Sequence, residues 1–134
     1  MFNTTPFRSI QSIAFALTLL AGVAHAGDPP QTPTEPPSGI TLVDAEQVQK
    51  LQASGAIIVD ARKTAEFAEG SIKGAISVPY DPETSAKDVN FDASKDKYDL
   101  GKISDKTKTY VVFCNASTCW KSFKLITVMS RDGY

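Results

Sequence analysis

The chain has 134 residues, of which 42% are hydrophobic, and its 14 Lys and Arg residues against 15 Asp and Glu give a formal net charge of −1. This length suits one small domain. A charge so near zero, without a basic cluster, argues against nucleic acid or an anionic lipid surface as a partner.

The first 26 residues have the pattern of a secretory signal peptide. Arg8 precedes an apolar run at 13–23, and the tripeptide Ala-His-Ala at 24–26 forms a small-residue cleavage site. The apolar run is too short to span a membrane as a helix. We therefore expect the protein to be secreted across the inner membrane into the periplasm, with no membrane contact after cleavage.

Cleavage after Ala26 would also remove Arg8 and His25, the only histidine. Thirteen basic residues would then face 15 acidic ones, for a net charge of −2. Without an imidazole, a Ser-His-Asp triad, a Cys-His dyad and a His-based metal site are excluded for the remaining chain. We expect neither a metal nor another cofactor. In an oxidising compartment the two cysteines, Cys114 and Cys119, are able to pair.

The chain after residue 26 begins with a proline-rich segment. Residues 27–38 hold five of the eight prolines and predict an extended, polyproline-like linker. The predicted domain covers residues 39–134 and begins with a short strand at 40–42. Asp44 and Gln47 then have the spacing of a capping box at the start of a helix.

Helices and strands alternate along the rest of the chain. Gly55 tolerates a positive φ and is predicted to end the first helix. The pattern then predicts strands at 56–60, 75–79 and 109–113 and helices at 63–70 and 119–130. Short, continuously apolar strands between helices favour an α/β fold with a mainly parallel sheet. The polar stretch at 80–108 is predicted to be mostly loop, with its lysines in solvent.

On a helical wheel the last predicted helix has two distinct sides. The apolar side carries Phe123, Leu125, Ile126 and Met129. The polar side carries Lys121, Lys124, Thr127 and Arg131. We expect the apolar side to face the core of the domain and the polar side to face solvent.

Cys114 follows the last predicted strand, so it lies where ligands bind in open α/β sheets. The candidate site loop after it comprises Asn115, Ala116, Ser117, Thr118, Cys119 and Trp120. Small and polar residues let backbone N–H groups turn inward, and the N-terminus of the next helix adds a positive dipole. Both features lower the pKa of a thiol, and the thiolate is the nucleophile. We therefore predict that Cys114 is a nucleophile with a lowered pKa. The alternatives are a thiol buried as a small apolar side chain at the strand end and a structural or redox disulfide.

Two segments together resemble the single-domain rhodanese-like family of sulfurtransferases. VVFCNASTCWKS at 111–122 is similar to the family's strand and active-site loop, in the secreted variety with a Cys-Trp pair shortly after the catalytic Cys. IIVDARKTAEFAEGSIKGAISVP at 57–79 is similar to the family's earlier signature. There an Asp-x-Arg, an acidic-aromatic pair and a Gly-x-Ile-x-Gly-Ala stretch lead to a proline. The resemblance covers about residues 40–134.

The resemblance implies a three-layer α/β/α fold and a sulfurtransferase mechanism. Cys114 would take sulfur from thiosulfate or a similar donor, hold it as a persulfide and pass it to a thiol or cyanide. The implied partners are a small sulfur-containing anion or thiol and a protein of sulfur or redox metabolism. No cofactor is implied.

The chain departs from the family pattern in three respects. Ser71 stands where many members have His, and the site loop lacks the Arg or Lys that often binds thiosulfate, so that Lys121 is the nearest cation. Members usually continue with a further strand and helix beyond the position of Tyr134. The resemblance therefore implies a domain that is incomplete at its C-terminus, with a sheet that lacks its last strand and has an exposed edge.

Other residues of the two signatures have supporting roles in this interpretation. Cys119 is the candidate resolving thiol, and Trp120 either walls the site or packs in the core. Asp60, at a strand end, is expected to give structural support by accepting N–H bonds from a neighbouring loop. Arg62 and Glu66 are further candidates for structural support and have the i,i+4 spacing of an ion pair.

Two other functions are open on the sequence. A thiol–disulfide redox protein would use Cys114 and Cys119, although their spacing is C-x4-C and not C-x-x-C. A non-catalytic rhodanese-like module would bind a partner or carry sulfur, and the absence of a loop cation favours it. A phosphatase with a Cys loop is disfavoured because Trp120 stands in place of its phosphate-binding Arg.

Overall fold

The computed structural model describes residues 27–134, so the expected signal peptide at 1–26 lies outside the described residues. The elements, in chain order, are α1 (Ala45–Ala53), β1 (Ile57–Asp60), α2 (Thr64–Glu69), β2 (Ile76–Ser77), β3 (Tyr110–Phe113) and α3 (Trp120–Arg131). Two 3-10 turns, Ala93–Lys95 and Leu100–Lys102, lie in the long connection between β2 and β3. Within this part of the chain no helix is long and apolar enough to cross a membrane.

The three strands form one parallel sheet in the order β2-β1-β3. Val59 of the central strand pairs with Ile76 on one side and with Val112 on the other. Parallel neighbours need a crossover connection, and α2 lies in the one between β1 and β2. Ile58, Val59 and Asp60 are buried, as suits a strand covered by other elements. This sheet confirms the predicted α/β class.

The two ends of α1 follow the signals in the sequence. Asp44 Oδ1 accepts a hydrogen bond from Gln47 N at 2.8 Å, and Gln47 Oε1 accepts one from Asp44 N at 2.9 Å. These reciprocal bonds form the predicted capping box. Gly55, just past the helix, has a φ of +95°, which glycine adopts without steric cost. Both ends of the helix were therefore predicted correctly.

The core lies between the sheet and α3, which packs against β3. Its most enclosed apolar side chains include those of Val59, Val78, Leu125 and Met129, each 1% exposed or less. Burial of a side chain of this size contributes about 1.5–3 kcal/mol to stability. The predicted apolar side of the last helix therefore does face the core.

The predicted polar side of the same helix is only partly in solvent. Lys124 has 0% exposure and Thr127 has 4%, so the prediction that these two residues face solvent is wrong. The reason is the long connection between β2 and β3, which covers this side of α3. From that connection, Ser85 accepts a hydrogen bond from the Lys124 ammonium, Asp96 lies 3.8 Å from it, and the Phe91 ring centre lies 5.0 Å from it.

A buried polar cluster attaches this connection to α3. Asp96 Oδ2 accepts hydrogen bonds from Tyr80 OH at 2.5 Å and from Ser85 Oγ at 2.7 Å. Burial lowers the pKa of Lys124, while the attraction of Asp96 opposes that change. Burial and the bond to Asp96 raise the pKa of Tyr80. Since a buried charge without its partner is costly, these contacts hold the connection in place.

The prediction of a strand at 40–42 is wrong. Those residues have no regular structure, and Leu42 is 67% exposed. Among residues 27–134 no strand pairs with β3 on the side away from β1. A cavity of about 540 Å³ lies between this edge, α3 and the segment at 39–43. Within the described residues the sheet therefore has an open edge at β3.

Candidate active site at the carboxyl end of the sheet

Cys114 directly follows β3, and strand pairing determines where it lies. Phe113 pairs with Asp60 of β1, and Ala61 N donates to Phe113 O at 3.0 Å. The carboxyl ends of β1 and β3 are therefore side by side, and Cys114 lies at that edge of the sheet, as predicted. Cys119 is the N-cap residue of α3, so the loop between the two cysteines connects this edge to the helix.

The half-buried sulfur of Cys114 has two hydrogen-bond partners among residues 27–134. Its S–H donates to the backbone carbonyl of Cys119 at 2.9 Å. Its Sγ also lies 3.2 Å from the hydroxyl of Ser122, in the first turn of α3. The sulfur is thus held between a carbonyl, which favours the thiol, and a hydroxyl, which is able to donate to a thiolate.

Burial raises the pKa of the Cys114 thiol. A hydrogen bond with Cys119 and the negative charge of an ionised Cys119 act in the same direction. The hydroxyl and backbone N–H of Ser122 lower that pKa but do not offset the increase. The predicted lowering of the Cys114 pKa is therefore wrong. The physical reason is that the sulfur is half-buried, and the lost hydration of the charged form outweighs the Ser122 groups that favour the thiolate.

The residues of the site loop make most of their contacts away from the sulfur. Asn115 Nδ2 donates to Glu66 Oε1 of α2 at 2.6 Å, and Cys119 N donates to Ala116 O at 2.8 Å. The bond from Asn115 lowers the pKa of Glu66. Thr118 is half-buried. The structure thus brings Glu66 together with the loop, 49 residues further along the chain.

The proline-rich segment contacts the site loop. Thr32 donates twice to Ser117 O, from its backbone N at 2.7 Å and from its Oγ1 at 2.9 Å. Trp120 Nε1 donates to Pro30 O at 2.9 Å. Trp120 is buried and packs edge-on against Phe123, with 5.3 Å between the ring centroids. The segment therefore lies on the domain, a contact that its composition did not predict.

Asp60 organises the neighbouring edge of the sheet. It accepts hydrogen bonds from Arg62 N at 2.9 Å, from the Arg62 guanidinium at 2.7 Å and from Ser71 Oγ at 2.7 Å. Burial alone would raise the pKa of Asp60, but these bonds outweigh it and hold the pKa below its ordinary value. Arg62 also donates to Gly70 O at 2.7 Å. Among the described residues no ion pair joins Arg62 to Glu66, so that predicted pairing is wrong.

Three charged side chains surround the site loop. Glu66 is bonded to the loop, and Lys121 is close enough for its charge to lower the pKa of Glu66 further, beyond the effect of the Asn115 bond. The Arg62 guanidinium lies 5.6 Å from the centre of the Phe113 ring. In the stretch from 27 to 134, no three His, Cys, Asp or Glu side chains are grouped as a metal site requires.

Residues 44–134 match the family model described as Rhodanese-like domain. The chain belongs to the rhodanese-like domain family. Comparisons with the curated proteins and with the solved structures each found no match. The family match confirms the rhodanese-like domain that the two sequence signatures indicated, and it agrees with the parallel sheet described above.

In this rhodanese-like domain, the sequence located Cys114 but not all of its surroundings. Ser122 was missed, although the predicted helix start near Cys119 places it in the first turn, where polar groups face the preceding loop. The contacts of Pro30 and Thr32 with the site loop had no local signal, since they join segments about 85 residues or more apart.

The cavity beside β3 is close to the sulfur but does not include it. Its lining includes Val112, Ser122 and Phe123, and also Ile40 of the segment at 39–43. Cys114 is not part of the lining. In the rhodanese-like domain, the Cys114 sulfur and the cavity are thus separate features, with Ser122 in contact with both.

Proposed function

We propose that this rhodanese-like domain is a sulfurtransferase that carries sulfane sulfur as a persulfide on Cys114. The observation that supports this most is the place of its sulfur, half-buried at the carboxyl end of the sheet and 3.2 Å from Ser122 Oγ. The family match supports a sulfurtransferase-like role in general terms. A partly enclosed sulfur next to a hydrogen-bond donor suits a persulfide, which needs protection from competing thiols.

In the proposed reaction, the Cys114 thiolate attacks the outer sulfur of thiosulfate or a similar donor. A bond from Cys114 to that sulfur forms, the S–S bond of the donor breaks, and sulfite leaves with the bonding electron pair. A thiolate or cyanide then attacks the outer sulfur of the persulfide. This second step regenerates the Cys114 thiolate, so the complete cycle consumes no oxidant or reductant.

The site offers little positive charge to an anionic donor. Residues 115–120 contain no Lys or Arg, and the positive charge of Lys121 interacts with the negative charge of Glu66. Coulombic attraction of a divalent anion is therefore weak, and the start of α3 supplies the remaining positive potential. We expect a KM for thiosulfate above about 1 mM, the upper end of the common range for enzymes.

Intact-mass spectrometry of residues 27–134 after incubation with thiosulfate tests the proposal. We expect a gain of about 32 Da, one sulfur atom, in the wild type and in Cys119→Ser, and no gain in Cys114→Ser. A reducing thiol should remove the added mass. Equal gains in the wild type and Cys114→Ser would contradict the assignment of the sulfur to Cys114. No gain in a protein with an alkylatable Cys114 would leave the non-catalytic module as the interpretation.

The contact between the two cysteines favours thiol–disulfide chemistry as a second candidate. Cys114 S–H donates to the Cys119 backbone at 2.9 Å, and besides burial the charge of Cys119 raises the pKa of Cys114, so the thiols are neighbours. Oxidation would join them with the loss of two hydrogens, and an added disulfide such as oxidised glutathione would take up the electrons. A labile Cys114–Cys119 disulfide in a protein that accepts no sulfur from thiosulfate would favour this candidate.

A further inference from the structure

We propose that Ser122 is the positioning residue of the reactive sulfur: when Cys114 loses its proton or carries a persulfide, the Ser122 hydroxyl replaces the Cys119 carbonyl as its hydrogen-bond partner. The persulfide part rests on the proposed function, whereas the thiolate part is independent of it. The proposal gives a role to a side chain outside the site loop at 115–120.

The two partners of the sulfur have opposite hydrogen-bonding abilities. The S–H of Cys114 is 2.9 Å from the Cys119 carbonyl oxygen, which only accepts. Ser122 Oγ is 3.2 Å from the same sulfur, and a hydroxyl both donates and accepts. A thiolate has no proton to donate, so its negative charge would face the negative end of the carbonyl. The Ser122 hydroxyl needs only to rotate its hydrogen to donate to that thiolate.

Both partners are fixed by the start of α3, so the sulfur is the atom that moves. Cys119 is the N-cap residue, and an N-cap carbonyl accepts the first hydrogen bond of its helix. The carbonyl is therefore not free to turn away from a negative sulfur. Ser122 is one residue before Phe123, which is anchored in the core. Ionisation should consequently shift the Cys114 side chain from the carbonyl towards Ser122.

The other groups around the sulfur do not supply this hydrogen bond. Cys119 is the ionisable group that acts directly on Cys114, and a negative charge on it opposes a second one. Glu66 is bonded to Asn115, and Lys121 acts on Glu66. Arg62 is bonded to a buried carboxylate. The hydroxyl and backbone N–H of Ser122 are the groups that favour the thiolate.

The test compares Ser122→Thr with Ser122→Val in the single-cysteine variant Cys119→Ser. Both substitutions add a branched side chain of similar size, and only threonine keeps the hydroxyl. The readout is the rate of Cys114 alkylation by iodoacetamide as a function of pH. We expect valine to move the midpoint of the profile upward by about one pH unit, because hydrogen bonds to charged groups are stronger than those between neutral groups. At a pH below the midpoint, this shift equals a tenfold loss of thiolate. Threonine should leave the profile close to that of the parent.

Ser130→Val is the matched control, since Ser130 is exposed on the same helix, and its profile should equal that of the parent. If Ser122→Val fails to fold, as judged by circular dichroism, Ser122→Ala replaces it in the same comparison. Superimposable profiles for the parent and the variant without a hydroxyl would overturn the proposal. Alkylation does not involve persulfide, so this outcome is distinguishable from a failure of the proposed function, which would show as an absent gain of mass.

Discussion

At the scale of single residues, burial decides the direction of the Cys114 pKa shift more than the hydrogen-bond partners of the sulfur do. Its sulfur lies at the carboxyl end of β3, as predicted, but it donates to the Cys119 carbonyl at 2.9 Å. The position followed from strand and helix patterns, whereas the enclosure of the sulfur depends on the conformation of the loop and of the helix start around it. Periodicity does not encode that enclosure, which is why the predicted sign of the pKa shift was wrong.

The pKa of Cys114 predicts a reactivity that increases at alkaline pH. Burial is the largest cause that raises this pKa and does not depend on the Cys119 thiol, and only the thiolate reacts. We therefore expect the alkylation rate of Cys114 in Cys119→Ser to continue rising above about pH 8.5, the ordinary value for a cysteine. The measurement is iodoacetamide alkylation followed by mass spectrometry. A plateau reached below pH 7 would contradict the prediction.

Asp60 should be important for stability. Its removal in Asp60→Ala leaves the Arg62 amide and guanidinium without their buried acceptor, and we expect a loss of about 2–4 kcal/mol in the free energy of unfolding in urea. Asp92→Ala, at an exposed turn, serves as the control and should change much less. Because the folded-state pKa of Asp60 is lowered, its contribution is present at neutral pH and is lost as the pH falls below about 3.9. A loss equal to that of the control would refute this role.

At the scale of elements, the helices with explicit end signals were predicted best. The capping box of Asp44 and Gln47 and the positive φ of Gly55 bound α1 as expected. The predicted strand at 40–42 failed because no described strand lies beside it to supply hydrogen-bond partners. Short apolar runs form strands only where a neighbouring strand is available, and three residues carry too little pattern to show that.

The cap of α1 provides a prediction at this scale. Asp44→Ala removes the acceptor for Gln47 N, and we expect the free energy of unfolding to fall by about 1 kcal/mol, as is typical for loss of an N-cap. The measurement is urea unfolding followed by circular dichroism. Glu46→Gln removes an exposed ion pair with Lys50 on the same helix and should have a smaller effect. A loss as large for Glu46→Gln as for Asp44→Ala would count against the cap.

At the scale of the whole molecule, the long connection between β2 and β3 is a structural part of the domain. Its composition predicted a solvated loop, but Tyr80, Phe91 and Asp96 are fixed against α3 around a fully buried Lys124. A helical wheel considers one helix in isolation, so it assigned Lys124 to solvent. Local sequence patterns did not reveal the contacts between segments far apart in the chain, either in the fold or in the site.

This cluster predicts a non-additive pair of substitutions. Lys124→Met leaves the buried carboxylate of Asp96 without its cation, and we expect a loss of about 3–5 kcal/mol in the free energy of unfolding. Adding Asp96→Asn removes that charge, so the double variant should be more stable than Lys124→Met alone. Urea unfolding of the wild type, both single variants and the double variant completes the cycle. Strictly additive losses would show that the two charges do not interact.

Trp120 is the only tryptophan of the chain, and its indole nitrogen donates to Pro30 O. In the folded domain its fluorescence emission should therefore respond to departure of the N-terminal segment, without any attached dye. Undocking would expose the ring to water and shift the emission to longer wavelengths. A binding partner that displaces this segment would become visible in a simple titration.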